Sequence, residues 1–175
     1  MDNNFLRPED VLKQLDLKED MVAADFGSGS GGWAIPLAKT LKEGKVYAID
    51  ILEESLSALK SRADFNKISN IENILSDLEA KEGSKIKDNF LDLVLVTNLL
   101  FQADNKKEIL LEAKRVLKNT GKILVIDWQK ASSLGPKEGR VSAEEVKEVA
   151  ENIGLKLEKE VDAGKYHYGL IFTSP

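Results

Sequence analysis

The segment GSGSGG, residues 27–32, constrains the fold more than any other part of this chain. An apolar run at residues 21–26 precedes it, and apolar residues at helical spacing follow it. In an open α/β sheet, the turn between a strand and its helix lies at the carboxyl ends of the strands, where ligands bind. Glycines let the backbone turn tightly and approach a ligand closely. The segment therefore predicts a ligand-binding turn in a parallel sheet.

The rest of the chain alternates between β-branched apolar runs and helical patterns, which indicates an α/β fold with helices on both faces of the sheet. A short turn containing Gly164 separates the last two predicted strands, so these should form an antiparallel hairpin. The segment between the third and fourth strands is mostly polar and predicts only a weak helix. We predict strands at residues 21–26, 45–49, 71–75, 91–97, 122–128, 155–161 and 166–173. We predict one domain over residues 1–175, in which residues 1–19 supply an N-terminal helix that leads into the core.

Composition excludes several classes of protein. The net charge of −5 argues against nucleic acid as the main partner, because phosphate binding requires clustered positive charge. The chain has no cysteine, which excludes disulfides, zinc–thiolate sites and a thiol nucleophile. No apolar run is long enough to span a bilayer, and the N-terminus does not resemble a signal peptide, so we expect no membrane association and a cytoplasmic location.

The glycine spacing is compatible with two kinds of adenosine ligand. Gly27, Gly29 and Gly32 fit the GxGxxG pattern of dinucleotide-binding proteins, whereas Gly27, Gly29 and Gly31 fit GxGxG. Glycine spacing alone therefore does not choose between NAD and another adenosine ligand. Asp25 stands two residues before the first glycine, and a carboxylate there suits a ligand with a cationic part better than one with a pyrophosphate.

Two further acids follow neighbouring predicted strands. Asp50 closes the second strand about 20 residues beyond the glycines, where an acid can accept hydrogen bonds from both hydroxyls of a ribose. Asp77 follows the third strand and could accept a hydrogen bond from an adenine amino group, with the backbone of Leu78 nearby. Taken alone, Asp77 is equally well explained as a helix cap.

These residues together resemble the class I S-adenosylmethionine (SAM)-dependent methyltransferase family. VAADFGSGSG resembles its first motif, VYAIDI its ribose-binding acid, LSDLEA its adenine-contacting acid and FLDLVLVTNLLFQ its fourth strand. EILLEAKRVLKNTGKILVIDW resembles a helix and fifth strand of the ubiquinone-biosynthesis type, with Asn119-Thr120-Gly121 in place of the usual Pro-Gly-Gly. The resemblance implies a Rossmann-like seven-stranded sheet of order 3-2-1-4-5-7-6, with strand 7 antiparallel.

The resemblance also implies SAM as the cofactor and assigns residues to it. Asp25, Gly27 and Gly29 would line its methionine end, and Asn98 would face both the methionine moiety and the acceptor. Asp50 would hold the ribose, while Ile51 and Asp77 would contact the adenine. The full set of implied cofactor-binding residues is Asp25, Phe26, Gly27, Gly29, Asp50, Ile51, Asp77, Leu78 and Asn98.

The methyl group of a sulfonium is already activated, so its transfer requires alignment and exclusion of water more than a nucleophilic residue. Some acceptors also need a base, and His167, the only histidine, is the candidate, although we expect it to be a partly exposed residue of the final hairpin. The candidates for acceptor contact are Phe101, Trp128 and Arg140, and the loop at residues 129–140 could order over an acceptor as a lid.

The sequence lacks the motifs of two classes of methyltransferase, which narrows the range of possible acceptors. TNLLFQ after the fourth strand has no Pro-Pro-aromatic signature of enzymes that methylate nucleic-acid amines, and Asp127 alone does not supply the acids of a metal-dependent site. We expect a small-molecule or protein acceptor and no metal. A second copy or a partner protein could complete the acceptor pocket. Two alternatives stay open: a non-catalytic SAM-binding or partner-binding module, and an NAD(P)-binding oxidoreductase.

Overall fold

A computed structural model describes residues 5–174 and contains a seven-stranded sheet of order β3-β2-β1-β4-β5-β7-β6. All neighbouring pairs are parallel except those made by β7, which runs antiparallel to both β5 and β6. The strands are β1 (Val22–Phe26), β2 (Lys45–Asp50), β3 (Ile71–Leu75), β4 (Leu91–Thr97), β5 (Leu117–Trp128), β6 (Lys156–Val161) and β7 (His167–Thr173). The predicted fold class, strand order and final hairpin are confirmed.

Within the described residues, five α-helices cover the sheet, and one 3-10 helix (Leu100–Gln102) follows β4. The α-helices are α1 (Pro8–Leu12), α2 (Ala34–Thr40), α3 (Glu53–Phe65), α4 (Lys106–Val116) and α5 (Ala143–Asn152). Residues of α1, α2 and α3 pack with Ala23, Leu95 and Ile126 on one face, and residues of α4 and α5 pack with Phe26 and Val125 on the other. Because side chains alternate along a strand, each central strand contributes to both cores. The central strands are therefore buried on both faces, as predicted, whereas most residues of the edge strands β3 and β6 are exposed.

Local sequence signals fix the start of α5. The N–H of Glu145 donates to Ser142 Oγ at 3.2 Å, and the Ser142 N–H donates to the Glu145 carboxylate at 2.6 Å. This is a complete capping box, which satisfies two N–H groups that a helix end leaves free. Gly154 follows the helix with φ +79°, as expected of a glycine that ends it.

Two local predictions are wrong. First, β5 begins at Leu117 rather than at residue 122, because Leu117 pairs with Leu91 of β4, and the register then shifts before Lys122 pairs with Leu93. Asn119-Thr120-Gly121 therefore lies inside the strand and not in a turn before it.

The second wrong prediction is the weak helix between β3 and β4. That segment contains turns, and three of its residues, Glu82, Lys85 and Asn89, have positive φ angles that a helix does not allow. Ser84 and the side chain of Arg115 both bond the buried Glu112 carboxylate of α4. Within residues 5–174, no helix is long and apolar enough to cross a membrane.

Candidate functional site

The glycine turn lies where β1 ends, against the end of β2. The N–H groups of Gly27 and Ser28 both donate to the Ile49 carbonyl, at 2.9 and 3.0 Å. Gly27 and Gly29 have φ angles of +71° and +52°, a region that residues with a Cβ avoid. A Cβ built on Gly29 would meet nothing within 4 Å, so this glycine borders open space. The turn therefore leaves room for a ligand against its backbone.

Asp50 is the acid that shapes this turn. Its Oδ2 accepts the Gly29 N–H at 2.8 Å, and its Oδ1 accepts the Leu52 N–H at 2.9 Å. An ionised carboxylate offers about four acceptor positions, so about two are left for a ligand. A diol needs that number of acceptors, which makes the carboxylate suited to a ribose.

An open cavity of about 440 Å³ lies between the glycine turn and the ends of β2, β3 and β4. Its volume lies in the range of small-molecule and cofactor sites. Polar groups of the turn and of Asp50 and Asp77 lie at its wall together with apolar side chains. It is lined by Gly27, Gly29, Asp50, Ile51, Leu52, Ser55, Ser76, Asp77, Leu78, Glu79, Leu99, Gln102, Ala103 and Ile109. Six of the nine predicted cofactor-binding residues thus share one cavity.

Asp77 and Ile51 have the features that a nucleoside site needs. Asp77 is exposed, and its Oδ1 accepts the N–H of Glu79 at 2.9 Å, which shapes the loop after β3. No helix begins there, so a role as a helix cap is excluded. Ile51 lines the cavity and is 62% exposed, so its side chain is available to pack against a ligand.

The other three predicted cofactor residues lie away from the cavity wall. The Phe26 side chain is fully buried in the core, so only its backbone could contact a ligand. Asp25 is also buried, and among the described residues neither of its carboxylate oxygens has a hydrogen-bond partner. Burial raises the pKa of Asp25 to about 8, against the effect of the nearby Ala34 N–H, which does not reach hydrogen-bond geometry.

Asn98 directly follows β4 and has a positive backbone φ angle. Its φ is +49°, and its N–H donates to the Ile126 carbonyl of β5 at 2.8 Å. Its side-chain oxygen is buried and, like Ser28 Oγ, lacks a hydrogen-bond partner within the described part of the chain. Buried polar atoms without partners are rare, and at the carboxyl ends of strands they suggest contact with a ligand.

On the far side of β4, Asp127 connects the predicted acceptor residues. Its carboxylate accepts the N–H of Phe101 at 3.2 Å and that of Trp128 at 2.7 Å. Burial raises the pKa of Asp127 to about 6, and these two N–H groups oppose the rise. Phe101 and Trp128, both predicted to contact the acceptor, thus bond the same buried carboxylate through their backbone N–H groups.

His167 is buried, which corrects the expectation of a partly exposed hairpin residue. It pairs with Trp128 across β5 and β7, and the two ring centroids are 4.0 Å apart. Only 6% of His167 is exposed, and neither ring nitrogen has a hydrogen-bond partner among residues 5–174. Burial lowers the pKa of His167 to about 4, so its imidazole is neutral near pH 7.

Arg140, predicted to contact the acceptor, instead binds the loop that precedes it. Its guanidinium donates to five backbone carbonyls, those of residues 129, 130, 132, 134 and 136. A planar group with five N–H donors is suited to hold a ring of carbonyls in this way. The 129–140 loop consequently has a fixed internal shape.

Glu79 lines the cavity but was not among the predicted site residues. The Glu79 carboxylate accepts the N–H groups of Asp104 and Asn105, which joins the loop after β3 to the segment after β4. A Cβ on Gly27 would lie 2.8 Å from Leu99 Cδ1, so the same segment packs directly on the glycine turn. Glu79 carries no local signal, because its role depends on the pairing of distant strands.

Comparison with known proteins agrees with the family resemblance of the sequence. A sequence profile described as a methyltransferase domain matches residues 17–171. The solved structure of a SAM-dependent methyltransferase from Aquifex aeolicus superposes with a TM-score of 0.89 at 30% identity, covering 98% of this chain and 92% of that one.

Two other known proteins are less similar to this chain, one in length and one in sequence. A demethylmenaquinone methyltransferase from Bacillus mycoides is 28% identical over 134 residues, which are 76% of this chain and 55% of the relative. The chain thus spans about half the length of the curated relatives that it matches. The structure of a (4+2)-cyclase superposes with a TM-score of 0.83 at 16% identity, covering 96% of this chain and 79% of that one, which is a likeness of fold alone.

Proposed function

The chain belongs to the family of SAM-dependent methyltransferases, and we propose that it moves a methyl group from SAM to an acceptor by in-line displacement. One observation carries the proposal: the Asp50 carboxylate, held by two backbone N–H groups, borders a cavity that also contains Gly29 and Asp77. This arrangement fits an adenosine whose ribose bonds Asp50 and whose base lies between Ile51 and Asp77.

When bound, SAM would supply a methyl group that is already activated by its positive sulfur. The chain has to orient the two reactants and exclude water. Asp25 and Asn98 support a methionine end at β1 and β4, because both present buried polar atoms for which the described structure provides no partner. Burial raises the pKa of Asp25 to about 8, and a cationic ligand would favour its ionised form, whereas a pyrophosphate would not, which argues against NAD(P).

Calorimetry with SAM, S-adenosylhomocysteine, NAD and NADP tests the cofactor assignment. We expect saturable binding of the first two ligands and none of the dinucleotides. Binding of NAD without binding of SAM would refute the proposal.

We propose that the protein acts in the cytoplasm and that its acceptor is a small molecule or a side chain presented by a protein. We further propose a partner protein or a second copy of this chain as an alternative source of part of the acceptor pocket. The relative from Bacillus mycoides carries the name of a demethylmenaquinone methyltransferase, which supports a small molecule. Tritium from labelled SAM, followed into metabolite, protein and nucleic-acid fractions of a cell extract, tests this proposal. Label mainly in nucleic acid would contradict it.

A second candidate is a protein that binds SAM without transferring its methyl group. The likeness to a cyclase supports this alternative, because it indicates that the fold serves other chemistry. Binding of SAM with no label transferred to any fraction would favour it.

A further inference from the structure

Glu112 of α4 is a buried acid that the proposed cofactor site leaves without a role. Only 5% of its side chain is exposed, and it does not line the cavity. Burial opposes its ionisation, yet hydrogen bonds from Arg115 and Ser84 lower the pKa of Glu112, so the group is charged near pH 7. A buried charge is unfavourable unless bonded partners surround it. What those partners hold in place is therefore informative.

Four hydrogen bonds reach this carboxylate from two residues. Ser84 donates to Oε1 from its N–H at 2.9 Å and from its hydroxyl. Arg115, one turn further along α4, donates to Oε1 at 2.6 Å and to Oε2 at 2.8 Å. The same guanidinium donates to the Ile86 carbonyl at 2.8 Å. Glu112 and Arg115 together thus fasten the β3–β4 segment, residues 76–90, to α4.

The fastened part of the β3–β4 segment packs on two residues of the cavity wall. A Cβ added to Gly83 would lie 2.1 Å from the Asp77 carbonyl oxygen and 2.9 Å from Leu78 Cα, so the Gly83 backbone lies directly on both residues. Gly83 precedes Ser84 in the chain. Because glycine has no side chain that could absorb a shift, a displacement of Ser84 would move Asp77 and Leu78.

A second acid fastens the same segment less firmly. The Glu79 carboxylate accepts the N–H groups of Asp104 and Asn105, but these bonds are exposed. Water competes for exposed hydrogen bonds, whereas the bonds between Ser84 and Glu112 are buried. The buried bonds therefore constrain the segment more strongly than the exposed ones.

We propose that Glu112 is a positioning residue: through Ser84 and Gly83 it sets where Asp77 and Leu78 lie at the cavity, and thereby the preference of the site for adenine over a base without the amino group. The proposal rests on the proposed function, because Asp77 would accept the amino group of the adenine. Glu112 itself would touch neither cofactor nor acceptor. A binding group whose supporting residues are fixed discriminates better, because its geometry is set before the ligand arrives.

Two nucleosides that differ only in the base measure this preference. They are S-adenosylhomocysteine and S-inosylhomocysteine, in which a carbonyl replaces the amino group. A carboxylate bonds an amino group and not a carbonyl, so we expect the parent to bind the first about tenfold more tightly in calorimetry. In Glu112→Ala the preference should fall to about twofold. A preference that stays near tenfold in Glu112→Ala would overturn the proposal.

Matched variants separate positioning from a general loss of stability. Glu112→Gln keeps the oxygen that accepts both Ser84 bonds, so it should retain most of the preference. Ser84→Ala, a milder change that keeps the N–H bond, should lose part of it. Val146→Ala is the control, because it removes buried volume from the same core in α5, and its preference should stay near tenfold. An equal loss of preference in Val146→Ala and Glu112→Ala would contradict a specific role for Glu112.

Backbone amide NMR of the ligand-free protein tests the positioning independently of the proposed function. Glu112→Ala should shift the resonances of Asp77, Leu78 and Gly83 and leave those of Gly29 and Leu52, on the other wall of the cavity, in place. Unshifted resonances of Asp77 and Leu78 would overturn the proposal whatever nucleoside binds.

The parent protein distinguishes the two possible failures. If S-adenosylhomocysteine did not bind to it, the cofactor assignment would be refuted, and the shifts at Asp77 and Leu78 would still support positioning by Glu112. Equal binding of the two nucleosides by the parent would refute the adenine preference, and with it the proposal, while leaving the cofactor assignment intact.

Discussion

The two sides of the cleft differ in how their polar groups are satisfied. On the β2–β3 side, Asp50 and Asp77 both accept backbone N–H groups and still border an open cavity of about 440 Å³. On the β5–β7 side, the nitrogens of His167 are unpaired within residues 5–174, and the 129–140 loop covers Trp128. The first side can take a ligand without rearrangement, whereas the second has to open. We therefore expect a ligand on the β2–β3 side to bind independently of the 129–140 loop.

The largest effect is expected from Gly29→Val, which places a branched side chain in the open space beside the turn. At φ +52° the substitution is also strained. We expect SAM affinity to fall by about 100-fold, or ~2.7 kcal/mol, in calorimetry. Gly32→Ala is the matched control, because a Cβ there also meets nothing within 4 Å and its φ lies outside the left-handed region. Equal losses in the two variants would contradict a specific role for Gly29.

Asp50→Ala is expected to cause the second-largest loss of SAM affinity. It removes a carboxylate that fixes Gly29 and Leu52 and that would bond the ribose, each charge-assisted bond contributing about 1.5–3 kcal/mol. We expect a net loss of affinity of about 10- to 100-fold, the equivalent of about one such bond, and equal for SAM and S-adenosylhomocysteine because the ribose is common to both. Asp50→Asn, which keeps one oxygen, should lose less. Unequal losses for the two nucleosides would place the carboxylate nearer the sulfur.

Asp25→Asn should change how stability depends on pH. The folded state keeps a proton up to about pH 8, whereas the unfolded chain loses it near pH 3.8, so stability declines as pH rises across that window. The slope is at most ~1.4 kcal/mol per pH unit. Urea unfolding at several pH values should show this decline in the parent and not in the variant. Asp104→Asn, at an exposed carboxylate, should keep the slope of the parent.

The His167 side chain should make stability depend on pH in the opposite sense, and His167→Phe tests this. The folded imidazole titrates near pH 4 and the unfolded one near 6.5, so stability is present above pH 6.5 and falls as pH drops towards 4. The variant should lose this acid sensitivity, again at most ~1.4 kcal/mol per pH unit, in urea unfolding between pH 4 and 7. Acid sensitivity that persisted in the variant would mean that another group is responsible.

The smallest effect is expected from Gly135→Ala. The added methyl group would overlap the Trp128 ring, so the 129–140 loop should move off the indole at a cost of ~1–3 kcal/mol. Tryptophan fluorescence should shift to longer wavelength, while calorimetric affinity for SAM stays unchanged. Ser133→Ala, at an exposed position in the same loop, is the control. A loss of SAM affinity would show that the two sides of the cleft are not independent.

The arrangement of the proposed adenosine site was predictable because its signals are local. Gly27, Gly29 and Asp50 are fixed by strand ends and turn geometry that a short stretch of sequence encodes, and the structure brings them to one cavity. The strand order followed from the resemblance, and the alternation of strands and helices predicted the two covered faces.

The acceptor side was less predictable because its geometry depends on contacts between distant residues. His167 is buried where it pairs with Trp128 across β5 and β7, and this pairing leaves no pattern near residue 167. Arg140 was expected to contact an acceptor, yet the carbonyls of its own loop occupy its guanidinium. Likewise, the early start of β5 at Leu117 depends on pairing with β4.

The position of β7 has a consequence for how the protein forms during synthesis. This strand follows β5 and β6 in the chain but lies between them in the sheet, and its Leu170, Ile171 and Phe172 are buried. Until β7 has left the ribosome, β6 has no strand to join and the β5 edge stays open, exposing a pairing surface that favours aggregation. Translation that pauses before residue 167 would therefore leave a nascent chain that depends on chaperones, with its β1–β4 half already able to pair.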